Sequence, residues 1–214
     1  MVVRRQELAA ESPGRVKQKQ RTRSAIIAAA RAIVERGETP TVSQAANDAL
    51  VSRTTAYRYF PTQESLLLEL SVSIDIREVE DLVARPLDGT TPEDRLLEFV
   101  DLFNRHALAN ERLYRTGTRH YMDMWLAANR AGDDHPYTRE GRRAQMIAEI
   151  LEPLRATVPK DQLGRVEAAL CLVAGGEAIQ VLRDICRLDA DDALAITHWA
   201  ADAILTAGLG QRQA

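Results

Sequence analysis

From Arg21 to Ala207 the apolar residues recur at intervals of three and four, and no two-residue alternation persists anywhere in the chain. Side chains three or four apart share one face of a helix, whereas a half-buried strand needs strict alternation. Sheet architectures are therefore excluded, and the chain reads as all-α with about nine helices. Breaking residues set the divisions. Ile26, Ile27, Ala30, Ile33 and Val34 form a stripe closed by Gly37. Thr41 followed by Gln44 makes a capping box that opens a short helix, and Ser52 caps another. Pro61 ends that one because it has no backbone donor. A longer helix is predicted from Thr62 to about Ala84. The segment RPLDGTTPED, with Pro86, Gly89 and Pro92, is the strongest break. Beyond it, helices are expected over about 93–110, 112–129, 138–156, 161–187 and 190–207, parted at AGDDHP, TVPKDQ and CRLDAD.

A hydrophobic content of 45% with 28% charged residues is that of a folded globular chain, so global disorder is excluded. No apolar run approaches the roughly 20 residues of a membrane span, and the N-terminal twenty residues hold no apolar stretch suited to secretion. Cys171 and Cys186 match no zinc or redox spacing, which points to a reduced cytoplasmic setting. The net charge of −3 is unevenly spread. Residues 1–60 carry eleven Lys or Arg against five Asp or Glu, a net +6, and the remainder is net −9. A basic end on an acidic protein points to a polyanionic partner for that end alone.

Within the basic end, SRTTAYRYF (52–60) gathers two arginines and three of the chain's eight Tyr and Phe. Two short helices joined by a tight turn, after a longer first helix, make a helix-turn-helix. Its second helix presents N-terminal residues to base edges in the major groove. With Ser52 as cap, Arg53, Thr54 and Thr55 fill the first turn: arginine can bond guanine in bidentate fashion, and threonine offers a hydroxyl and a methyl. Ala46, Val51, Ala56 and Phe60 are spaced to pack the pair, while Tyr57, Arg58 and Tyr59 can reach phosphates. The basic residues Arg15, Lys17, Lys19, Arg21 and Arg23 read either as a solubilising tail or as an arm on the DNA, in a minor groove or along the backbone.

TVSQAANDALVSRTTAYRYFPTQESLLLEL (41–70) resembles the DNA-binding signature of the tetracycline-repressor (TetR) family. Thr41, Ala46, Val51, Ser52, Thr55, Tyr57, Tyr59, Phe60 and Leu66 fall in register with it. The resemblance implies a flexible basic arm (1–18), a three-helix DNA-binding domain (19–65) and a helical ligand-binding and dimerisation domain (66–214). It implies DNA contacts at Thr41, Ser43, Ser52, Arg53, Thr54, Thr55, Tyr57, Arg58, Tyr59 and Gln63. Two positions depart from the pattern. Leu50 stands where the family has a glycine suited to positive φ, and Gln63 where it has a phosphate-binding lysine.

The acidic two-thirds resembles the family's regulatory domain in layout, most closely over the last two helices. Small residues from Ala168 to Ala178 allow close helix approach, and Ala193, Ile196, Trp199, Ala200 and Ala203 form an apolar stripe. The family likeness implies a dimer interface through Leu172, Gly175, Gly176, Ile179, Ile196, Trp199, Ala200 and Ala203; an internal hairpin of a monomer is the other reading. Phe103, His106, Tyr114, Thr118, His120, Tyr121, Met124 and Trp125 are the candidate pocket for a small hydrophobic or aromatic effector, or else ordinary core. No metal or nucleophile motif is present, so no catalysis, cofactor or metal is expected. The expectation is a homodimeric repressor of the bacterial cytoplasm and nucleoid. It would hold an inverted-repeat operator and be released by a ligand. The alternative is a DNA-binding regulator without small-molecule response, whose acidic domain serves dimerisation or a protein partner.

Overall fold

Caps and breaks cut the helical pattern wherever the chain turns. The computed structural model describes residues 13–73, 75–130 and 141–210; among them are eleven α-helices, one 3₁₀ turn and no strand. The chain divides into two units, Met1–Ser73 and Ile74–Ala214.

The first unit holds α1 (Pro13–Glu35), α2 (Val42–Asp48), α3 (Arg53–Tyr59) and α4 (Gln63–Val72). α1 starts at Pro13 rather than near Arg21, and proline suits a first helical turn because it needs no donor there. Of the arm expected over residues 1–18, residues 1–12 lie outside the described residues, and 13–18 are the opening turns of α1. The helix closes on Gly37 (φ 86°), whose N–H bonds the Val34 carbonyl at 2.8 Å while Glu38 N–H reaches Ile33 at 3.2 Å. That left-handed closure is what a glycine just past a helix end provides. Ile26, Ala30, Ile33 and Val34 are buried with Val42, Ala45, Ala46, Ala56, Phe60, Leu66 and Leu70, and the alanines let α1, α2 and α3 approach closely. Each of the large side chains contributes about 1.5–3 kcal/mol by burial. The unit takes in the whole of α4, so the division falls beyond the boundary at residue 65 drawn from the sequence.

The second unit holds α5 (Arg77–Ala84), α6 (Pro92–Ala109), α7 (Glu111–Arg130), α8 (Arg142–Ile150), a 3₁₀ turn (Glu152–Ala156), α9 (Lys160–Val173), α10 (Gly176–Asp184) and α11 (Ala190–Leu209). α6 is central, packing on α5, α7, α8, α10 and α11, and α11 also packs on α9. Phe99 and Phe103 stack with centroids 5.3 Å apart inside a core that includes Leu96, Val100, Ile147, Leu163, Leu170 and Leu205. No described helix is long and apolar enough to cross a membrane.

Two expected helices are each split, which raises about nine to eleven. The stretch 62–84 becomes α4 and α5. Here Asp75 accepts the Arg77 backbone N–H at 3.1 Å and the Arg77 Nε–H at 2.9 Å, starting a new helix. The stretch 161–187 breaks at Ala174–Gly175. Gly175 has φ 102° and ψ −174°, a region essentially open to glycine alone. Asn104, fully buried on α6, donates to the Val173 carbonyl at 2.9 Å and accepts from Gly175 N–H at 2.5 Å. Arg143 of α8 donates to the Ala174 carbonyl and to Glu177 at 3.0 Å. Side chains thus satisfy the backbone groups that the break would orphan. Arg95, only 3% exposed, does the same for the end of α5, donating to the carbonyls of Leu82 (3.0 Å), Arg85 (2.7 Å) and Pro86 (3.0 Å). The AGDDHP break and residues 138–140 of the helix expected over 138–156 lie outside the described residues.

Candidate nucleic-acid interface

Short-range capping fixes the two helices of the head. The Thr41 hydroxyl accepts Gln44 N–H at 3.2 Å, and the Gln44 side chain accepts Thr41 N–H at 3.0 Å, the reciprocal box its spacing predicts. In the turn, Leu50 N–H bonds Asn47 at 3.1 Å and Val51 N–H bonds Ala46 at 2.9 Å. Leu50 itself has φ 55°. The turn therefore keeps the left-handed geometry suited to glycine, with a leucine carrying the strain.

Ser52 caps α3, accepting Thr55 N–H at 3.2 Å and lying 2.8 Å from the Thr55 hydroxyl. Thr55 is thus committed to the cap, and Arg53 and Thr54 are left as the exposed pair of the first turn. Tyr57 is half-exposed, its hydroxyl 3.3 Å from Ser43 Oγ, a link between α3 and α2. Arg58 is exposed and Tyr59 half-buried, while Ala56 and Phe60 face the core. Thr62 caps α4, accepting Ser65 N–H at 3.1 Å, and Gln63 is the half-buried first residue of that helix. Neither α2 nor α3 has an acidic residue in its first turn, so nothing there repels a phosphate.

In the arm region the basic residues alternate along a helix, and steps of two put them on opposite sides. Lys17 falls with Arg21 and Lys19 with Arg23. Arg23 is bound to Glu69 at 2.7 Å and lies 6.0 Å from the Phe60 ring, so the unit's own body holds it. A helix is roughly 10–12 Å across and a minor groove roughly 6 Å wide. As a helix, the described part of the arm suits the phosphate backbone better than an undistorted minor groove. Arg36, just past α1, is bound to Asp48 at the end of α2 (3.2 Å) and to its loop neighbour Glu38 (3.3 Å), and these bonds raise its pKa.

In the second unit the candidate pocket residues scatter. Phe103 is stacked in the core. Tyr114 packs where a side chain at Gly176 would stand, and burial pushes its phenol up to about 12. His106 is half-buried with Nδ1 3.4 Å from Asn110, and burial lowers its pKa. His120 is buried beside Tyr121, with ring centroids 6.1 Å apart, and Thr118 meets Gln180 at 3.4 Å. Met124 is half-buried, and Trp125 is 46% exposed with Met122 and Leu126. The stripe is core at its start and surface at its end. Three grooves bounded by described residues, of about 380, 490 and 220 Å³, are lined by other residues.

The interface candidates divide as well. Leu172, Ile196 and Trp199 are exposed, as is Ala203, and Ala200 is half-buried. Gly175, Gly176 and Ile179 lie on the inward side of the break, where Phe103, Arg143 and Tyr114 fill the space against them. Val181 on α10 and Ile185, the residue that closes that helix, are exposed.

The fold and head together define an all-helical chain with a helix-turn-helix at its front, and solved structures share that architecture. Fourteen solved chains match. A TetR transcriptional regulator from Rhodococcus sp. RHA1 is 18% identical, with 87% of this chain and 96% of that one covered at a TM-score of 0.59. A mutant of the protein HlyIIR is 19% identical, with 85% and 97% covered at 0.41. No family model and no curated protein matches the sequence. The fold is that of a TetR regulator.

Proposed function

We propose that this protein is a DNA-binding transcription regulator that acts as a homodimer on an inverted repeat. The observation that carries the reading is the first turn of α3. There a guanidinium and a hydroxyl stand free at Arg53 and Thr54, on a helix whose inner face is locked by Ala56 and Phe60. Arg53 reads a guanine edge; Tyr57, Arg58, Thr41 and Ser43 hold phosphates; and Gln63 offers one uncharged hydrogen bond where a lysine would add charge.

Dimerisation is supported by α11, which is apolar on two sides. Ala193, Ala201 and Leu205 are buried within the unit, while Ala195, Ile196, Trp199 and Ala203 form an outer stripe at three-to-four spacing. A helix with a second apolar stripe on its outer side is suited to packing against another chain. Two-fold pairing sets recognition helices about 34–36 Å apart, one turn of DNA. We assign the protein to the cytoplasm as a repressor, released by a hydrophobic or aromatic effector that prefers a state with mismatched heads. The packed state of Phe103 and Tyr114 favours a second reading, regulation without a small molecule.

The test is Arg53→Ala against a selected duplex and a scrambled one. Specific binding weakens by roughly 1–3 kcal/mol and discrimination falls if Arg53 reads a base. Undiminished preference for the selected duplex removes that role.

A further inference from the structure

Leu50 is 94% exposed, the most exposed large apolar side chain among the described residues, and its backbone lies in the left-handed region at φ 55°. Folding gains nothing from that side chain. It buries almost no area, and the turn is closed by backbone bonds from Leu50 to Asn47 and from Val51 to Ala46 that any residue could make. A β-carbon in this region is strained, so glycine or asparagine would serve the fold better. What the side chain does have is position. It opens the exposed run Leu50, Ser52, Arg53, Thr54, with only Val51 half-buried between them. Three steps of about 3.8 Å separate Leu50 from Arg53, at most about three base pairs of roughly 3.4 Å. The apolar feature that DNA offers in the major groove is the thymine methyl.

We infer that Leu50 is a sequence-reading residue: its side chain contacts a thymine methyl within about three base pairs of the position read by Arg53. This rests on the DNA-binding reading above. Leu50 adds apolar readout at the helix-turn-helix turn, next to the polar readout of α3.

The experiment selects duplexes from a randomised DNA pool with the full chain, then replaces each thymine of the winner in turn by deoxyuridine, which pairs identically but lacks the methyl. With the unaltered protein, one replacement in a half-site weakens binding about fourfold, the worth of one buried methyl-sized group. With Leu50→Gly and Leu50→Asn the same replacement has no effect. Both variants melt at or above the parent temperature, by about 2–4 °C for the glycine. Equal sensitivity to every replacement in all three proteins overturns the assignment of Leu50 and leaves DNA binding intact. A pool from which the unaltered protein enriches nothing overturns the DNA-binding reading, and this one with it.

Discussion

His106 illustrates how one half-buried side chain shapes behaviour with pH. Burial on α6 lowers its pKa from the ordinary 6.5, against the raising pull of Glu78 and Asp75. In the unfolded chain the imidazole takes a proton near pH 6.5, and in the fold it resists until a lower pH. The unfolded state therefore binds more protons below 6.5, and stability falls as pH drops from there toward the folded value. The melting temperature should fall between pH 7.5 and 5.5, and more weakly in His106→Gln; parallel melting curves for the two would contradict this. The residues of the head were legible because their duties are local. Ser52, Thr41 and Thr62 each cap within three positions, and the strain at Leu50 follows from a turn that wants positive φ. Arg95 was not legible. Its carbonyl partners lie on a helix end whose proximity only the tertiary fold creates.

At the level of elements, the helical stretches were readable from period and caps, but the breaks that make α5 and α10 separate helices were not. The 161–187 stretch carries an uninterrupted apolar pattern, and two consecutive glycines inside a helix can equally mean close packing. What decides for a break is Asn104, seventy-one residues from Gly175, which replaces the lost backbone bonds. Asn104→Ala should leave Gly175 N–H and the Val173 carbonyl buried without partners. That should cost roughly 1–3 kcal/mol in urea unfolding. A change under about 0.5 kcal/mol, the size of an ordinary surface substitution, would show that Arg143 alone holds the break. The same break divides the interface candidates, burying Gly175, Gly176 and Ile179 and exposing Leu172, because the helix restarts in a new register after Gly175.

For the whole molecule, the proposed dimer would cover exposed apolar side chains on α9 (Leu172), at α10 and its C-terminal end (Val181 and Ile185) and on α11 (Ile196 and Trp199). Trp199→Glu places a charge in the centre of the outer stripe on α11. The variant should sediment as a monomer and lose affinity for a two-half-site duplex while retaining the parent's helical circular dichroism. A variant that sediments like the parent would place the interface elsewhere. The most direct trial of the account as a whole is selection of bound duplexes from a randomised pool, with the winner's affinity followed from about 50 to 200 mM salt. The account predicts an enriched inverted repeat, half-sites one helical turn apart, and affinity falling steeply and linearly on logarithmic axes as phosphate contacts are screened. No enriched sequence, or a single unpaired half-site with a shallow salt dependence, would contradict it.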